Sequence, residues 1–269
     1  MQATDRQFVG SIPALYDRYL VPFLFAPYAR DMASRLAGLG SGRLLETACG
    51  TGAVTRALAA ALPQPVEIVA TDLNQPMLDY AAAQPIARPV AWRQADALAL
   101  PFPDASFDAV ICQFGVMFFP DKEAGFREAR RVLRPGGRLI FSVWDRLEAN
   151  ECAAVVSAAA AACFPADPPR FLARTPYGHH DAAAIAAALG RAGFAQTATE
   201  VVPARGRATN AREPAVGLCQ GTPLRGEIEA RDAARLAEVT EAAVAAVARA
   251  FGEGPIDTAQ QAILFTARA

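Results

Sequence analysis

Apolar positions change their period along this chain. In the opening stretch Phe8, Ile12, Leu15 and Tyr19 recur at helical spacing. This predicts a helix that Pro13, Pro22 and Pro27 break into pieces. A second helix is expected over 28–39, stopped by Gly40 and Gly42. From residue 43 the rhythm alternates. Short apolar runs read as strands at 43–48, 66–71, 90–94, 107–113 and 138–144. Helical spacing lies between them: Val54, Leu58, Ala61 and Leu62, then 75–84, then Phe126, Ala129 and Leu133 before Arg134-Pro135-Gly136-Gly137. The run 107–113 is apolar throughout most of its length, as a strand buried on both faces would be. Strands alternating with helices predict an α/β fold, a parallel sheet covered on both faces. The second half is less regular. A helix is expected over 182–192, a strand over 194–202, a long helix marked by Leu236, Val239, Val244, Val247 and Phe251, and a closing strand over 261–267. The Pro-rich segment 164–176 reads as an irregular loop.

Composition narrows the function. A chain of 269 residues, 53% hydrophobic, can bury a full core, and one large domain is the simplest expectation. A net charge of −1 gives no reason to expect a nucleic-acid or anionic-membrane partner. Lys122 is the only lysine, so the phosphate-binding G-x-x-x-x-G-K-[ST] loop is absent and Schiff-base chemistry has one candidate. The five cysteines form no C-x-x-C, which argues against a disulfide framework or a zinc site, and no other spacing suggests a metal. The first residues lack a signal-peptide pattern, and the longest apolar stretch, 152–164, is too short to span a bilayer. A cytoplasmic protein is expected. Oligomeric state is not legible.

The chemistry concentrates near Leu44-Leu45-Glu46-Thr47-Ala48-Cys49-Gly50-Thr51-Gly52, where a strand runs through a glycine turn into a helix. Glycines let the backbone approach a ligand, and the helix N-terminus offers amide donors. Asp72 closes the second strand, 20 residues after Gly52, where a carboxylate can accept both hydroxyls of a ribose. Asp96 closes the third and can accept from an adenine amine. Together they outline one crevice at the carboxyl edge of the sheet. A nicotinamide dinucleotide is the rival ligand. Its fingerprint wants a third glycine, where this chain has Thr55. His179 and His180 are the only histidines, just ahead of a helix that Asp181 could cap. They read either as an exposed loop pair or as a base that touches the substrate.

The ordered segments E-T-A-C-G-T-G, T-D-L-N-Q-P-M-L, Q-A-D-A-L-A-L-P-F-P-D-A-S-F-D and R-V-L-R-P-G-G-R-L resemble the motif set of class I S-adenosylmethionine-dependent methyltransferases. They look most like the ubiquinone/menaquinone-biosynthesis C-methyltransferase-like (methyltransferase type 11) group, over residues 43–145. The resemblance implies a Rossmann-like, doubly wound seven-stranded sheet, mostly parallel with an antiparallel last strand, plus a helical lid or insertion. It implies a single domain over 1–269: a helical lid at 1–40, a cofactor core at 43–145, and substrate-side insertions at 146–180 and 205–255. By the same resemblance Glu46, Ala48, Gly50 and Gly52 flank the methionine part of S-adenosylmethionine, and Asp72 holds its ribose. Leu73 and Met77 pack near ribose and adenine, Asp96 and Ala97 meet the adenine edge, and Gln113 sits near the methionine amine. Tyr16 and Tyr19, one helical turn apart, could close the site. Glu46 stands where Asp is commoner in the family, and Ala48 where Gly is commoner.

The implied reaction is direct in-line displacement onto a small, flat, largely apolar acceptor, with no nucleophilic side chain and no metal. Whether the methyl goes to oxygen, nitrogen or carbon is open. Two alternatives stand beside it: a non-catalytic regulatory protein that binds S-adenosylmethionine on the same fold, and an NAD-dependent dehydrogenase.

Overall fold

The computed structural model describes residues 3–269. The chain opens with helix α1 (Ile12–Leu15), a wide helix over Tyr16–Phe25, and α2 (Ala26–Arg35). The alternating section follows: β1 (Gly42–Glu46), α3 (Ala53–Ala61), β2 (Val66–Asp72), α4 (Gln75–Ala82), β3 (Ala91–Gln94) and β4 (Phe107–Gln113). Then come α5 (Lys122–Val132), β5 (Leu133–Trp144), α6 (Glu151–Ala162), α7 (Phe171–Arg174) and α8 (Ala182–Arg191). The chain continues with β6 (Gln196–Ala208), α9 (Arg212–Gln220), α10 (Leu224–Asp232), α11 (Leu236–Phe251) and β7 (Ile256–Arg268).

The strands form one seven-stranded sheet in the order β3-β2-β1-β4-β5-β7-β6. β1 pairs in parallel with β2 and β4, β2 with β3, and β4 with β5. β7 runs the other way. The amide of Gly136 donates to the Ala269 carbonyl, that of Ala269 to Gly137, and further along β5 that of Asp145 to Gln261. One strand advances as the other retreats. The doubly wound sheet with an antiparallel last strand is the expected one.

Several boundaries differ from expectation. Pro22 lies inside the wide helix, where the Ala26 amide donates five residues back to Val21. That looser turn makes room for a proline ring that an ordinary helix would exclude. Pro13 stands in the first turn of α1, where a missing amide costs little, whereas Pro27 lies within a helical run that is unbroken from Ile12 to Arg35. β6 extends to Ala208 and β7 begins at Ile256, beyond the runs the apolar pattern marks. β6 is an edge strand with most of its side chains exposed, and over its second half the inward positions are the small Ala204, Gly206 and Ala208, so no apolar alternation marks it. Its Arg205 and Arg207 reach Asp257 of β7, at 2.6 and 3.3 Å. The expected loop at 164–176 contains α7. Among the described residues no helix is long and apolar enough to cross a membrane.

The chain divides into two compact units. The first takes the chain up to Pro27, Trp144–His179 and Pro203–Gln261; the second takes Tyr28–Val143, His180–Val202 and Ala262–Ala269. In the second unit, Leu44, Ile68, Ile111 and Ile140 pack against Met32, Leu36, Val54 and Leu58 from the helices. Phe141 stacks on Phe265 at 4.9 Å and meets Phe126 at 5.2 Å. In the first unit α11 packs on α6 and α9, and α9 on the wide helix. Gly217 makes that last approach close, since a Cβ there would lie 2.6 Å from Leu20. The buried carboxylate of Asp5 holds Arg174 at 2.6 Å and Thr175 at 2.7 Å, and Arg174 also holds Glu227 at 2.6 Å.

Phe141 is fully buried and ring-stacked. Phe141→Ala should cost about 3–5 kcal/mol of stability. Urea melts should show a lower midpoint at unchanged slope.

Candidate functional site

Register brings the site residues together. Glu46 on β1 pairs with Ala70 on β2 and Ile111 on β4. Asp72 and Gln113 each lie two residues further on, Asp72 pairs with Gln94 of β3, and Gln113 pairs with Ser142 of β5. Gln94, Asp72, Gln113 and Ser142 therefore stand at one level near the carboxyl ends of four strands, with Ala48 on the chain leaving β1.

The glycine turn is built across this row. Cys49 donates its amide to the Thr71 carbonyl at 2.9 Å, and Gly50 donates to the Asp72 carboxylate at 2.9 Å. Gly50 and Gly52 take left-handed φ of 56° and 80°. Gly52 opens α3, and a Cβ on it would come within 3.2 Å of Ala81 and Trp92. A Cβ on Gly50 would meet nothing within 4 Å. Ala48 is also left-handed, at φ 52°. That conformation strains an alanine by about 1–2 kcal/mol. Ala48 fills the space beside Gly115, whose would-be Cβ lies 2.5 Å from the Ala48 methyl. Thr51 is buried, and its hydroxyl has no hydrogen-bond partner among the described residues.

The acids differ in environment. Glu46 is buried and accepts a hydrogen bond from the Thr55 hydroxyl at 2.6 Å. Burial pushes its carboxyl up from 4.5 to about 8; the Asp72 charge adds to this and the Thr55 bond opposes it. Its carboxyl ties the first turn of α3 to the end of β1. Asp72 is 6% exposed. It accepts from the Gly50 amide, from the Asn74 amide at 2.8 Å, and from the Asn74 side chain at 3.4 Å. Burial raises its pKa, against the hydrogen bonds from Asn74 and Gly50. A carboxylate has about four acceptor positions. Holding two ribose hydroxyls thus requires the long Asn74 side-chain contact to give way. Asp96 is exposed, follows β3, and accepts the Leu98 amide at 2.9 Å. Burial pushes the Cys49 thiol well above its ordinary value, with Glu46 and Asp72 adding to the effect, so it is a packing group.

The remaining expected residues separate. Leu73 is 40% exposed, and its carbonyl is held by Gln94. Met77 is 3% exposed and packs into the core. Ala97 is half-buried and shares a small internal void with Thr47 and Cys112. Gln113 is half-buried at the end of β4. After it Phe114 turns left-handed, with its amide on the Ser142 carbonyl and its ring against Tyr28 at 5.2 Å. All of these lie in the second unit. Tyr16, Tyr19 and His179 lie in the first. Tyr16 stacks on Phe25 at 4.8 Å, and the Arg18 guanidinium lies 5.0 Å from the Tyr19 ring. His179 is half-buried and His180 exposed, ahead of α8, which Asp181 caps through the Ala184 amide. Among the described residues no group of three or more His, Cys, Asp or Glu is fit to hold a metal ion. Sequence reasoning missed Asn74, Thr55, Thr51 and Ser142. Only Asn74 had a signal, the D-x-N spacing of a turn that folds back on its own aspartate.

The sheet order and the glycine turn define a Rossmann-like fold. Residues 45–141 match the family model described as a methyltransferase domain. The chain is 40% identical over 144 residues to a demethylmenaquinone methyltransferase of Deinococcus radiodurans, covering 52% of this chain and 59% of the relative. It is 39% identical over 104 residues to a ubiquinone/menaquinone biosynthesis C-methyltransferase of Geobacter sulfurreducens, covering 37% and 41%. The chain thus spans about half the length of the curated relatives it matches. A solved phosphoethanolamine N-methyltransferase of Haemonchus contortus, in complex with S-adenosyl-L-methionine, superposes with a TM-score of 0.58 at 17% identity, over 95% of this chain and 56% of that one. That likeness is one of fold.

Two predictions follow from the acids. Asp72→Ala should weaken S-adenosylhomocysteine binding roughly 10- to 150-fold, the loss of charge-assisted hydrogen bonds. Asp96→Ala, at an open edge, should cost less; calorimetry on both variants compares them. For Glu46 the folded chain keeps a proton that the unfolded chain has released. Its contribution is therefore undiminished below pH 4.5 and declines as pH rises from 4.5 to about 8. Glu46→Gln should flatten that decline, read as the stability difference from wild type at pH 5, 6, 7 and 8.

Proposed function

We propose that this chain transfers a methyl group from S-adenosylmethionine to a small aromatic acceptor of the hydroquinone kind. The observation that carries the reading is the Asp72 carboxylate fixed by the Gly50 and Asn74 amides, beside open space over Gly50. The buried Thr51 hydroxyl in the same turn supports the fit, since a ligand can satisfy it. Asp72 and Asp96 would hold ribose and adenine, with Leu73 an apolar surface beside them. The amides at the start of α3 suit the methionine carboxylate, and Gln113 its ammonium. When bound, the cofactor supplies a methyl group already activated by its sulfonium. The protein's work is to orient the acceptor and exclude water. A base such as His179 or His180 would add only a moderate factor, about 10²–10⁴.

The acceptor class rests on two supports. The relatives are named for demethylmenaquinone and for ubiquinone/menaquinone biosynthesis. The first unit holds a run of rings, Phe8–Tyr16–Phe25–Trp144–Tyr177, with neighbouring centroids 4.8 to 6.1 Å apart. Phe25, Trp144 and Tyr177 are buried, and the partly exposed Phe8 and Tyr16 are the rings of the run that a flat apolar acceptor can reach. In this reading the segments 146–180 and 205–255 serve the acceptor, and Tyr16 and Tyr19 belong to a lid. Five free cysteines fit a reducing, cytoplasmic compartment.

The test is turnover of methyl-labelled S-adenosylmethionine with 1,4-naphthalenediol and a panel of phenols and amines, read by mass. Ring methylation is expected, unchanged by EDTA. Cofactor binding without transfer to any acceptor would favour the regulatory reading. Saturable NADH binding without adenosylhomocysteine binding would favour the dehydrogenase.

A further inference from the structure

We propose that the Ser142 hydroxyl binds the polar end of the methyl acceptor. The inference deepens the methyltransferase reading and rests on it. Ser142 is 2% exposed, and its hydroxyl has no hydrogen-bond partner among the described residues. A buried hydroxyl in that state is costly, and a ligand atom is one way to satisfy it. Its backbone is already committed, because its carbonyl accepts the Phe114 amide at 3.0 Å.

Position decides what that ligand is. Ser142 pairs with Gln113 across β4 and β5, so the two side chains share one face at one level. The residues assigned to the cofactor follow β3, β2, β1 and β4 in spatial order, from the adenine end at Asp96 to the methionine end at Gln113. β5 is the next strand outward, about 4.8 Å further on. Ser142 is therefore the next polar side chain outward from Gln113 at that level. A serine both donates and accepts, and carries no charge. That suits a ring hydroxyl or carbonyl next to the methylated atom better than an amine or a carboxylate. The Tyr28 ring against Phe114 holds the neighbouring turn in place.

The experiment measures binding apart from turnover. 1,4-Naphthalenediol is titrated, under reducing conditions, into wild type, Ser142→Ala and Ser142→Thr, each loaded with S-adenosylhomocysteine. Adenosylhomocysteine affinity and Tm are measured alongside. Ser142→Ala should bind the diol about tenfold more weakly, the loss of one hydrogen bond, while Ser142→Thr keeps most of the affinity. Adenosylhomocysteine affinity should stay within about twofold. The Tm of Ser142→Ala should equal or exceed that of wild type, since a costly hydroxyl is removed. Equal diol affinity in wild type and Ser142→Ala overturns the proposal, as does failure of wild type to bind the diol. A parallel loss of adenosylhomocysteine affinity makes Ser142 a cofactor residue, and a lower Tm gives its hydroxyl a partner inside the fold; each also overturns it. Diol bound through Ser142 but never methylated refutes the proposed activity and leaves the binding role standing.

Discussion

The site depends on one carboxylate. Asp72 takes the Gly50 amide from the turn after β1 and the Asn74 amide from the turn after β2, at 2.9 and 2.8 Å. Two loops that would otherwise move separately are tied through a single side chain. The tie is costly because the charge is nearly buried, and the amides it accepts offset that cost. It also fixes where glycine is needed: with Gly50 pulled toward Asp72, the turn must run left-handed into α3. A second tie, Thr55 to Glu46, holds the first turn of α3 on the end of β1. The crevice is thus held in shape by the protein's own hydrogen bonds before any ligand contributes.

The two acids flanking the glycine turn show how one motif separates roles by partner. Glu46 is sealed in and holds its proton well above the ordinary carboxylate range, so near neutrality it acts as an uncharged bridge. Asp72 is nearly as buried, but it spends its carboxylate on the amides of two turns. A sequence motif that prints both acids does not distinguish them; their partners do. Burial separates Leu73, which faces outward, from Met77, which is core.

Much of the core was legible because its signals are local. Strand, glycine turn and helix succeed one another within a few residues, Asp72 closes β2 where its apolar run stops, and Asp96 follows just after β3. What was not legible depends on partners distant in sequence. β6 turns only the small Ala204, Gly206 and Ala208 inward over its second half, so its sequence carries no apolar alternation there. The wide helix around Pro22 has no sequence signature of its own. Thr55 looked like the absence of a glycine; its contact with Glu46 lies nine positions back. Ser142 reads as one polar residue in an apolar strand, and only register sets it beside Gln113.

The placement of β7 bears on how the sheet is closed. It follows β6 in the chain, yet it lies between β5 and β6 and not at an edge. Leu264 and Phe265, which complete the packing against Leu44, Ile140 and Phe141, are therefore distant in sequence from what they pack on. Without β7, β5 lacks its outer neighbour and β6 has none, so the sheet would expose hydrogen-bonding edges. The segment 45–141 is in this sense an incomplete core: its strand–helix units are local, but its outer edge is closed by a long-range pairing, the kind of contact that forms slowly.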